Sequence, residues 1–360
     1  MRRIIDILIG LRLRQWAIAA LTVLALVLVY TGVWVYGATQ TVKAAERWID
    51  ARRGEGYSVR HDGLRATGYP VWIRIDLASP GFGAPMVKSP WGWEAENLVI
   101  TARPWALWRV RLHTNGAQMI SFLADGQRLT FTGSVDTADA ELIFDGGNPQ
   151  SVALHIAGLD LGQSRKSGGN IAVATADLAL RRLANAGGAQ SGVATIGLDV
   201  TSSDVELPSS LASPLGGRIE NLRLAARLLG EFPRGEGAPL NETLEIWRDG
   251  GGTVEVDHLA LGHGPLTLRA NGTLALDRDL QPIGAFTAQA QGFFETIDAF
   301  SGAGMIGAGQ AMSAKLLLGV LAQHPKNGGP AILNLALTVQ QRTFYAGPVK
   351  LLQLPMLQWR

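Results

Sequence analysis

After residue 57 the chain alternates between apolar and polar residues with a period of two, and this pattern predicts β-strands. In the longest run, from Leu266 to Asp277, leucines and an alanine lie on one side of the strand, and threonines, an arginine and an asparagine lie on the other. Shorter runs of the same kind cover residues 71–77, 152–156, 194–200, 286–291 and 333–340. One apolar and one polar face are typical of antiparallel sheet that water reaches on one side.

Short segments rich in Gly, Asn and Asp separate these runs, and such segments form tight turns. They lie at residues 124–126, 145–149, 167–170 and 277–282. Because strands joined by such turns form meanders, we predict a mainly β fold with a few short helices and one large, bent antiparallel sheet. Between Val256 and Leu259 the apolar spacing slips by one residue, which predicts a β-bulge near Asp257 and His258.

Helical spacing of apolar residues is rare in this part of the chain. It predicts three short helices, at residues 240–247, 293–300 and 310–322. The stretch 207–217, rich in Pro, Ser and Gly, is the best candidate for a hinge. We therefore expect one β-rich body at residues 57–360, with two lobes that meet near 207–217 as an open alternative.

The N-terminal region contains 28 uncharged residues between Arg14 and Lys43, and its apolar centre covers residues 16–36. A helix of this length spans about 30 Å, the thickness of the bilayer hydrocarbon. The arginines before it are Arg2, Arg3, Arg12 and Arg14. By the positive-inside rule they place residues 1–15 in the cytoplasm and the body on the other side of the membrane. No later run reaches the ~18 apolar residues of a second span, so we predict a single-pass protein.

A cleaved signal peptide is the competing interpretation of this region. Its apolar part is typically ~7–15 residues long and ends in small residues at the cleavage site. The run here is longer, and bulky Tyr36 lies two residues before the candidate site at Ala38, so we favour an uncleaved anchor. Residues 37–56 then form a juxtamembrane helix, which either touches the membrane surface or stands in solvent as a stalk.

Composition narrows the function classes. Charged residues make up 17% and hydrophobic residues 47% of the 360, which excludes an intrinsically disordered chain. The net charge of +2 does not indicate a nucleic-acid partner. The chain has no cysteine, so disulfides, thiolate catalysis and zinc sites built on cysteine are excluded.

Motifs for catalysis are missing from the sequence, since it contains no G-x-S-x-G, H-E-x-x-H or Walker A pattern. A G-x-G-x-x-G occurs at Gly302, Gly304 and Gly307, but a helix precedes it and no acidic residue follows it. A dinucleotide site needs a preceding strand and an acid ~20 residues later, so we expect a loop between two helices. We predict no enzyme and no cofactor.

Two histidines lie close together in sequence, at His258 and His263. An odd spacing on a regular strand points side chains to opposite faces, so the pair would not bind one metal ion. The predicted bulge can change that parity, which keeps a metal site as a weaker alternative. We predict no metal.

Tryptophan is concentrated near the N-terminus, where eight of the ten lie within the first 108 residues. Trp91, Trp93, Trp105 and Trp108 cluster beside Arg103, Arg109 and Arg111. Indole rings either pack the first sheet or form a belt that faces the membrane. Ordinary packing in the core and at the sheet edge is the favoured interpretation.

Three stretches carry a resemblance to a known family. They are Gly68-Tyr69-Pro70-Val71 with residues 93–104; residues 246–277, which include Gly251-Gly252, Gly264-Pro265 and Gly272-Thr273; and Gly347-Pro348-Val349 with Leu354-Pro355. Together with the anchor, they make the chain resemble the DUF2125 family of uncharacterised alphaproteobacterial envelope proteins over nearly its whole length. This family has no established catalytic residues. More distantly, the layout is similar to AsmA-like proteins, which are β-rich, anchored in the inner membrane and associated with phospholipid transport.

The distant likeness implies an open sheet or groove that holds lipid. The leucines that would line such a groove are Leu266, Leu268, Leu274, Leu276, Leu333 and Leu335. The alternative is that these leucines form a closed core. The function we expect is binding or moving lipid, or another apolar ligand, in the cell envelope, with a non-catalytic structural or interaction protein as the alternative. The expected partners are the inner membrane, lipid and envelope proteins, with no nucleic acid, and we expect the body in the periplasm.

Overall fold

A computed structural model of the chain describes residues 2–84, 90–124, 126–163, 169–183, 194–208, 212–230, 239–323, 329–347 and 349–359. Parts of the predicted turns at 124–126 and 167–170, of the hinge at 207–217 and of the motif at 347–349 lie outside the described residues. The side chains of the N-terminal arginines also lie outside them.

The N-terminus forms one uninterrupted helix, α1 (Arg2–Gly54). Residues predicted as anchor and as juxtamembrane helix therefore lie on the same helix. In the described part of the chain, α1 is the one helix long and apolar enough to cross a membrane. Beyond residue 36 of α1, Ala38 and Ile49 are buried, and the ring centroids of Trp48 and Phe82 lie 5.8 Å apart.

The rest of the described chain is mostly strand, which confirms the predicted fold class. The strands are β1 (Ser58–Arg60), β2 (Ala66–Thr67), β3 (Ile73–Ala78), β4 (Gly81–Ala84), β5 (Trp91–Ala95), β6 (Asn97–Arg103), β7 (Ala106–Ala124), β8 (Gln127–Asp145), β9 (Asn148–Gln163), β10 (Asn170–Arg182), β11 (Ala194–Glu206), β12 (Arg218–Leu229), β13 (Thr253–His263), β14 (Leu266–Leu276), β15 (Pro282–Gln291), β16 (Leu333–Gln340), β17 (Thr343–Ala346) and β18 (Val349–Gln353). The three predicted helices are present as α2 (Leu240–Asp249), α3 (Phe293–Gly302) and α4 (Ala308–Leu321).

All strands belong to one open antiparallel sheet. From β7 to β18 each strand pairs with the next in sequence, as expected for a meander. The segment 207–217 connects β11 and β12, which pair with each other, so the sheet continues on both sides of the candidate hinge. Two lobes stay a prediction. The predicted bulge is confirmed, because pairing skips Asp257 between Val256 and His258 on β13.

The sheet divides at β7, which is long enough to pair with two strands on one edge. Its first half pairs with β6 and its second half with β5, and the pairing with β8 shifts between Thr114 and Gly116. Buried polar groups form hydrogen bonds where the sheet divides. The Thr114 hydroxyl donates to the Asn97 carbonyl at 2.6 Å, and the Gln118 amide donates to Thr114 Oγ1 at 3.1 Å. These hydrogen bonds satisfy side chains that would otherwise be buried without partners.

Strand register aligns residues of one kind across the sheet. One cross-strand row follows ten strands from β7 to β16 and contains apolar residues throughout: Leu112, Ala140, Leu154, Leu178, Val200, Leu224, Leu259, Ala270, Ala288 and Leu335. We call it the apolar row. The adjacent row on the opposite face is almost entirely polar: His113, Asp139, His155, Asp177, Thr201, Arg223, Ala260, Arg269, Gln289 and Asn334. We call it the polar row.

Candidate apolar ligand site

The six leucines predicted to line a groove lie on two strands with β15 between them. Leu268 pairs with Ala290, and Ala290 pairs in turn with Leu333, so all three share one row and one face of the sheet. The apolar row lies beside them on the same face, where Leu335 pairs with Ala288, which pairs with Ala270. Small alanines between larger leucines leave a depression along β15.

Helices α3 and α4 lie over this depression and border a partly open cavity of about 210 Å³. Four of the predicted leucines line it: Leu266, Leu268, Leu333 and Leu335. The opposite wall comes from the helices, including Phe293, Ile297, Phe300 and Leu318. Thr296 is the one residue with a polar side chain in this lining, so the cavity suits an apolar group.

The other two predicted leucines lie outside this cavity. Leu276 packs with the buried residues Leu244, Trp247 and Leu280 beneath α2. Leu274 lies over Gly284 on the neighbouring strand, where it occupies the space that a side chain at residue 284 would need. The structure therefore brings four of the six predicted residues together and separates two.

The apolar face extends well beyond the two helices. On β9 to β12 the apolar row is only partly buried, at Leu154, Leu178, Val200 and Leu224. Two residues along β10 on the same face, Leu180 pairs with Val152 and Leu198 and keeps 40% of its surface exposed. The groove prediction concentrated on β14 and β16 and did not include these residues, although the same period-two alternation marks them in the sequence.

The opposite face carries a second depression, of about 610 Å³, lined by the polar row and its neighbours. His113 Nδ1 lies 2.8 Å from Asp139 Oδ1, and His155 Nδ1 lies 2.7 Å from Asp177 Oδ1. Burial alone would raise the pKa of the Asp139 carboxyl, but hydrogen bonds from His113 and Thr137 hold that pKa below its ordinary value. Among the described residues, neither imidazole hydrogen-bonds a serine or threonine hydroxyl, so the pairs form no visible nucleophile–base arrangement.

The remaining candidates for chemistry are separated or structural. His263 is buried, with Nε2 3.2 Å from Ser213 Oγ and 3.0 Å from the Gly216 carbonyl, whereas His258 is exposed at the bulge. No group of three or more potential ligand residues able to hold a metal ion occurs in the described ranges. Gly302 ends α3 and Gly307 precedes α4, so the glycine motif is the loop between two helices.

Comparison with known proteins gives one match. A family model described as an uncharacterized protein conserved in bacteria, DUF2125, covers residues 34–355. No curated protein sequence and no solved structure matches the chain.

Proposed function

The chain belongs to the DUF2125 family of uncharacterised bacterial proteins, and from that premise we propose that it is a membrane-anchored envelope protein that binds lipid or another apolar ligand. The ligand lies against the apolar face of the sheet, with its end in the cavity beneath α3 and α4. The observation that carries this proposal is the continuous apolar row, which two helices cover at one end and which is only partly buried on β9 to β12.

The size of the cavity sets the part of a ligand that it holds. An engineered apolar cavity of ~150 Å³ stays dry and binds benzene. A cavity of about 210 Å³ has room for the end of one acyl chain and too little for a whole phospholipid. The rest of the acyl chain would cover the partly buried residues of the apolar row, where each Å² of apolar surface removed from water contributes ~25 cal/mol.

The apolar N-terminal helix supports an envelope location for this activity. Helix α1 has the length and apolarity of a membrane span, and the arginines before residue 16 favour a cytoplasmic N-terminus. We therefore propose the inner membrane as the location of α1 and the periplasm as the location of the sheet. The likeness to AsmA-like proteins also belongs to this proposal, since no match tests it.

A filled cavity provides the test. Ala290 is buried between Leu268 and Leu333, and leucine at this position would occupy part of the cavity. Ala285 lies on the same strand but is exposed on the other face, which makes Ala285→Leu a matched control. Native mass spectrometry of the full chain, extracted from membranes in detergent, reports the bound lipid. We expect lipid on the wild type and on Ala285→Leu, and several-fold less on Ala290→Leu.

Two results would contradict this function. The first is a wild-type protein that carries no lipid or other apolar ligand after extraction. The second is equal ligand retention by Ala290→Leu and the wild type, which would separate ligand binding from the cavity. Thermal unfolding of all three proteins, followed by circular dichroism, shows whether a loss of ligand reflects a loss of fold.

The surface of α4 favours a second candidate, an interaction protein of the envelope. One side of α4 packs on the sheet through Ala311, Ala314 and Leu318. Its other side exposes large apolar residues: Met312, Leu316, Leu317, Val320 and Leu321. Crosslinking in membranes, compared between the wild type and a Leu316→Gln/Val320→Gln variant, distinguishes the candidates. A protein adduct lost in the variant, with no bound lipid in either protein, would favour the interaction role.

A further inference from the structure

A second feature of the molecule points to a lipid, and it lies far along the sheet from α3 and α4. The guanidinium of Arg103 stacks on two indole rings, with Cζ 5.0 Å from the Trp72 centroid and 5.8 Å from the Trp105 centroid. Trp105 and Trp108 keep 52% and 56% of their surfaces exposed. The sequence favoured ordinary packing for these tryptophans, but such exposure leaves their rings available to a ligand or a membrane.

These residues surround a pocket of about 300 Å³ that carries an excess of positive charge. Its lining includes Arg103, Arg109 and Arg111 and contains no acidic residue. The adjacent carboxylate of Glu141 lies 2.8 Å from Arg111 Nε and 3.9 Å from Arg109 Nε. Among the described residues Arg103 has no ion pair, so at least one guanidinium is left without a carboxylate. Arginine side chains bind phosphate through two parallel hydrogen bonds, which makes an anionic phosphate the matching ligand.

With α1 in a bilayer, as proposed above, its contacts put the pocket at the level of the membrane surface. Trp34 Nε1 donates a hydrogen bond to the Trp72 carbonyl at 3.0 Å, and the Tyr30 hydroxyl donates to the Pro70 carbonyl. The 19 residues from Trp16 to Trp34 rise by about 27 Å in a helix, close to the ~30 Å of bilayer hydrocarbon. The pocket beside Trp72 therefore lies where the hydrocarbon ends and the phosphates begin.

The direction of the strands supports this placement. A side chain at Gly37, one turn after Trp34, would meet Ile73 and Leu107. Farther along the same helix, Trp48 contacts Phe82. The first residues of β3 and β7 thus lie near residue 37 of α1. On that side, the turn that contains Trp105 joins the end of β6, at Arg103, to the start of β7.

We propose that the pocket formed by Trp72, Arg103, Trp105, Trp108, Arg109 and Arg111 binds the phosphate of a membrane phospholipid headgroup. The indole rings lie in the interfacial region, where tryptophan is enriched in membrane proteins. The site rests on the part of the proposed function that puts α1 in a bilayer. It does not depend on a ligand in the cavity under α3 and α4.

The test uses the full chain in detergent and measures binding by native mass spectrometry with three probes. Dioleoyl phosphatidylglycerol has the phosphate and the acyl chains, dioleoylglycerol has the chains alone, and inorganic phosphate is the free anion. The test variant is Arg103→Gln/Arg109→Gln. The control is Arg269→Gln, an exposed arginine of the polar row far from the pocket.

We expect the double variant to bind phosphatidylglycerol about tenfold more weakly, as the loss of charge-assisted hydrogen bonds implies. Binding of dioleoylglycerol should be the same in all three proteins, because that probe reports the apolar site of the proposed function. Arg103→Lys keeps the charge but loses the flat stacked group, so its affinity should be intermediate.

The site is wrong if the double variant retains wild-type affinity for phosphatidylglycerol. It is also wrong if the double variant and Arg269→Gln lose affinity equally, or if inorganic phosphate at the lipid concentration displaces the lipid, since the last result indicates a site for a free anion. Carbonate extraction of membranes checks that α1 still anchors each variant. Matched circular dichroism melts show that the variants fold.

Discussion

Gly158 in β9 has a left-handed backbone, with φ of 62°, in the middle of a long strand. A Cβ atom at this position would collide with the carboxylate of Asp136 on the neighbouring strand. Left-handed backbone costs a residue with a side chain roughly 1–2 kcal/mol. We therefore expect Gly158→Ala to lower the free energy of unfolding by ~1–2 kcal/mol or more, measured as the shift of a denaturant transition.

The control for this substitution lies on the same strand. The backbone of Gly162 is not left-handed. The atom nearest to a Cβ there would be Asn170 Oδ1, at 3.5 Å, which is an ordinary van der Waals contact. Gly162→Ala should therefore change stability little. Equal effects of the two alanines would show that backbone conformation is not the reason for glycine at 158.

Asp139 makes the stability of the fold depend on pH. Its carboxyl pKa is lowered in the folded protein, although burial opposes the shift, because His113 and Thr137 donate hydrogen bonds to the ionised form. A group with a lower pKa in the folded state stabilises the fold above its unfolded value of ~3.9 and loses that contribution as the pH falls through the folded value. Asp139→Asn should therefore lower Tm near pH 7 and have a shrinking effect below about pH 4.

Thr137→Val tests the same carboxylate with a smaller change, because it removes one of the two hydrogen bonds and nearly preserves side-chain shape. Its effect on Tm should be smaller than that of Asp139→Asn and should follow the same pH course. A difference in Tm between wild type and Asp139→Asn that stays constant from pH 7 to pH 3 would contradict the linkage.

At the scale of the element, β14 shows how one strand serves two environments. Leu274 pairs with Val254 on one side, packs over Gly284 on the other and is partly buried, while its neighbour Thr273 is exposed. Leu274→Asp puts a carboxylate on the apolar face. In a packed environment without a partner, such a charge costs several kcal/mol. We expect a large drop in Tm for Leu274→Asp and little change for Thr273→Asp.

The same pair of variants distinguishes a packed face from an open groove. If water reaches the face near Leu274, the fold should survive Leu274→Asp and lipid binding should fall. Damage of equal size from both substitutions would contradict the assignment of faces on β14, and with it the apolar row. Circular dichroism melts and native mass spectrometry of the same samples separate these outcomes.

Helix α2 shows how a single side chain fixes an element. Trp247 is buried, its Nε1 donates to the Leu229 carbonyl at 2.9 Å, and its ring packs with Leu244 and Leu280. Gly252 lies so close to the indole that any side chain there would overlap the ring. The packing of α2 on the sheet therefore depends on the large side chain of Trp247 together with the absence of a side chain at Gly252.

At the scale of the whole molecule, helix α1 leads to a prediction about the side of the membrane on which the sheet lies. Four arginines precede the span, so we expect the sheet to lie outside the cytoplasm. Protease added to intact spheroplasts should digest the body, and a reporter that works only outside the cytoplasm should be active when fused after Arg360. A body that is protected until the membrane is broken would overturn this orientation.

The sequence alone determined the class of the fold and its two-faced character. Period-two alternation along residues such as Leu266 to Asp277 requires strands with one apolar and one wet face, because successive side chains of a strand point to opposite sides. The bulge at Asp257, the three short helices and the long apolar N-terminal helix were also predicted, since each depends on the spacing of nearby residues. Local patterns are sufficient where local geometry decides the structure.

Tertiary structure alone decided which residues meet. Register across ten strands aligned the apolar row and the polar row, placed α3 and α4 over four of the predicted leucines and put Leu276 beneath α2. It also brought Trp72, Arg103 and Trp105 together beside Trp34 of α1. Trp34, Trp72 and Arg103 are distant in the chain. Short turns predict that neighbouring strands pair, but no local spacing encodes the register of that pairing or the contact of α1 with the sheet. The period of a strand determines its faces, but hydrogen bonding between strands decides the sites that those faces form.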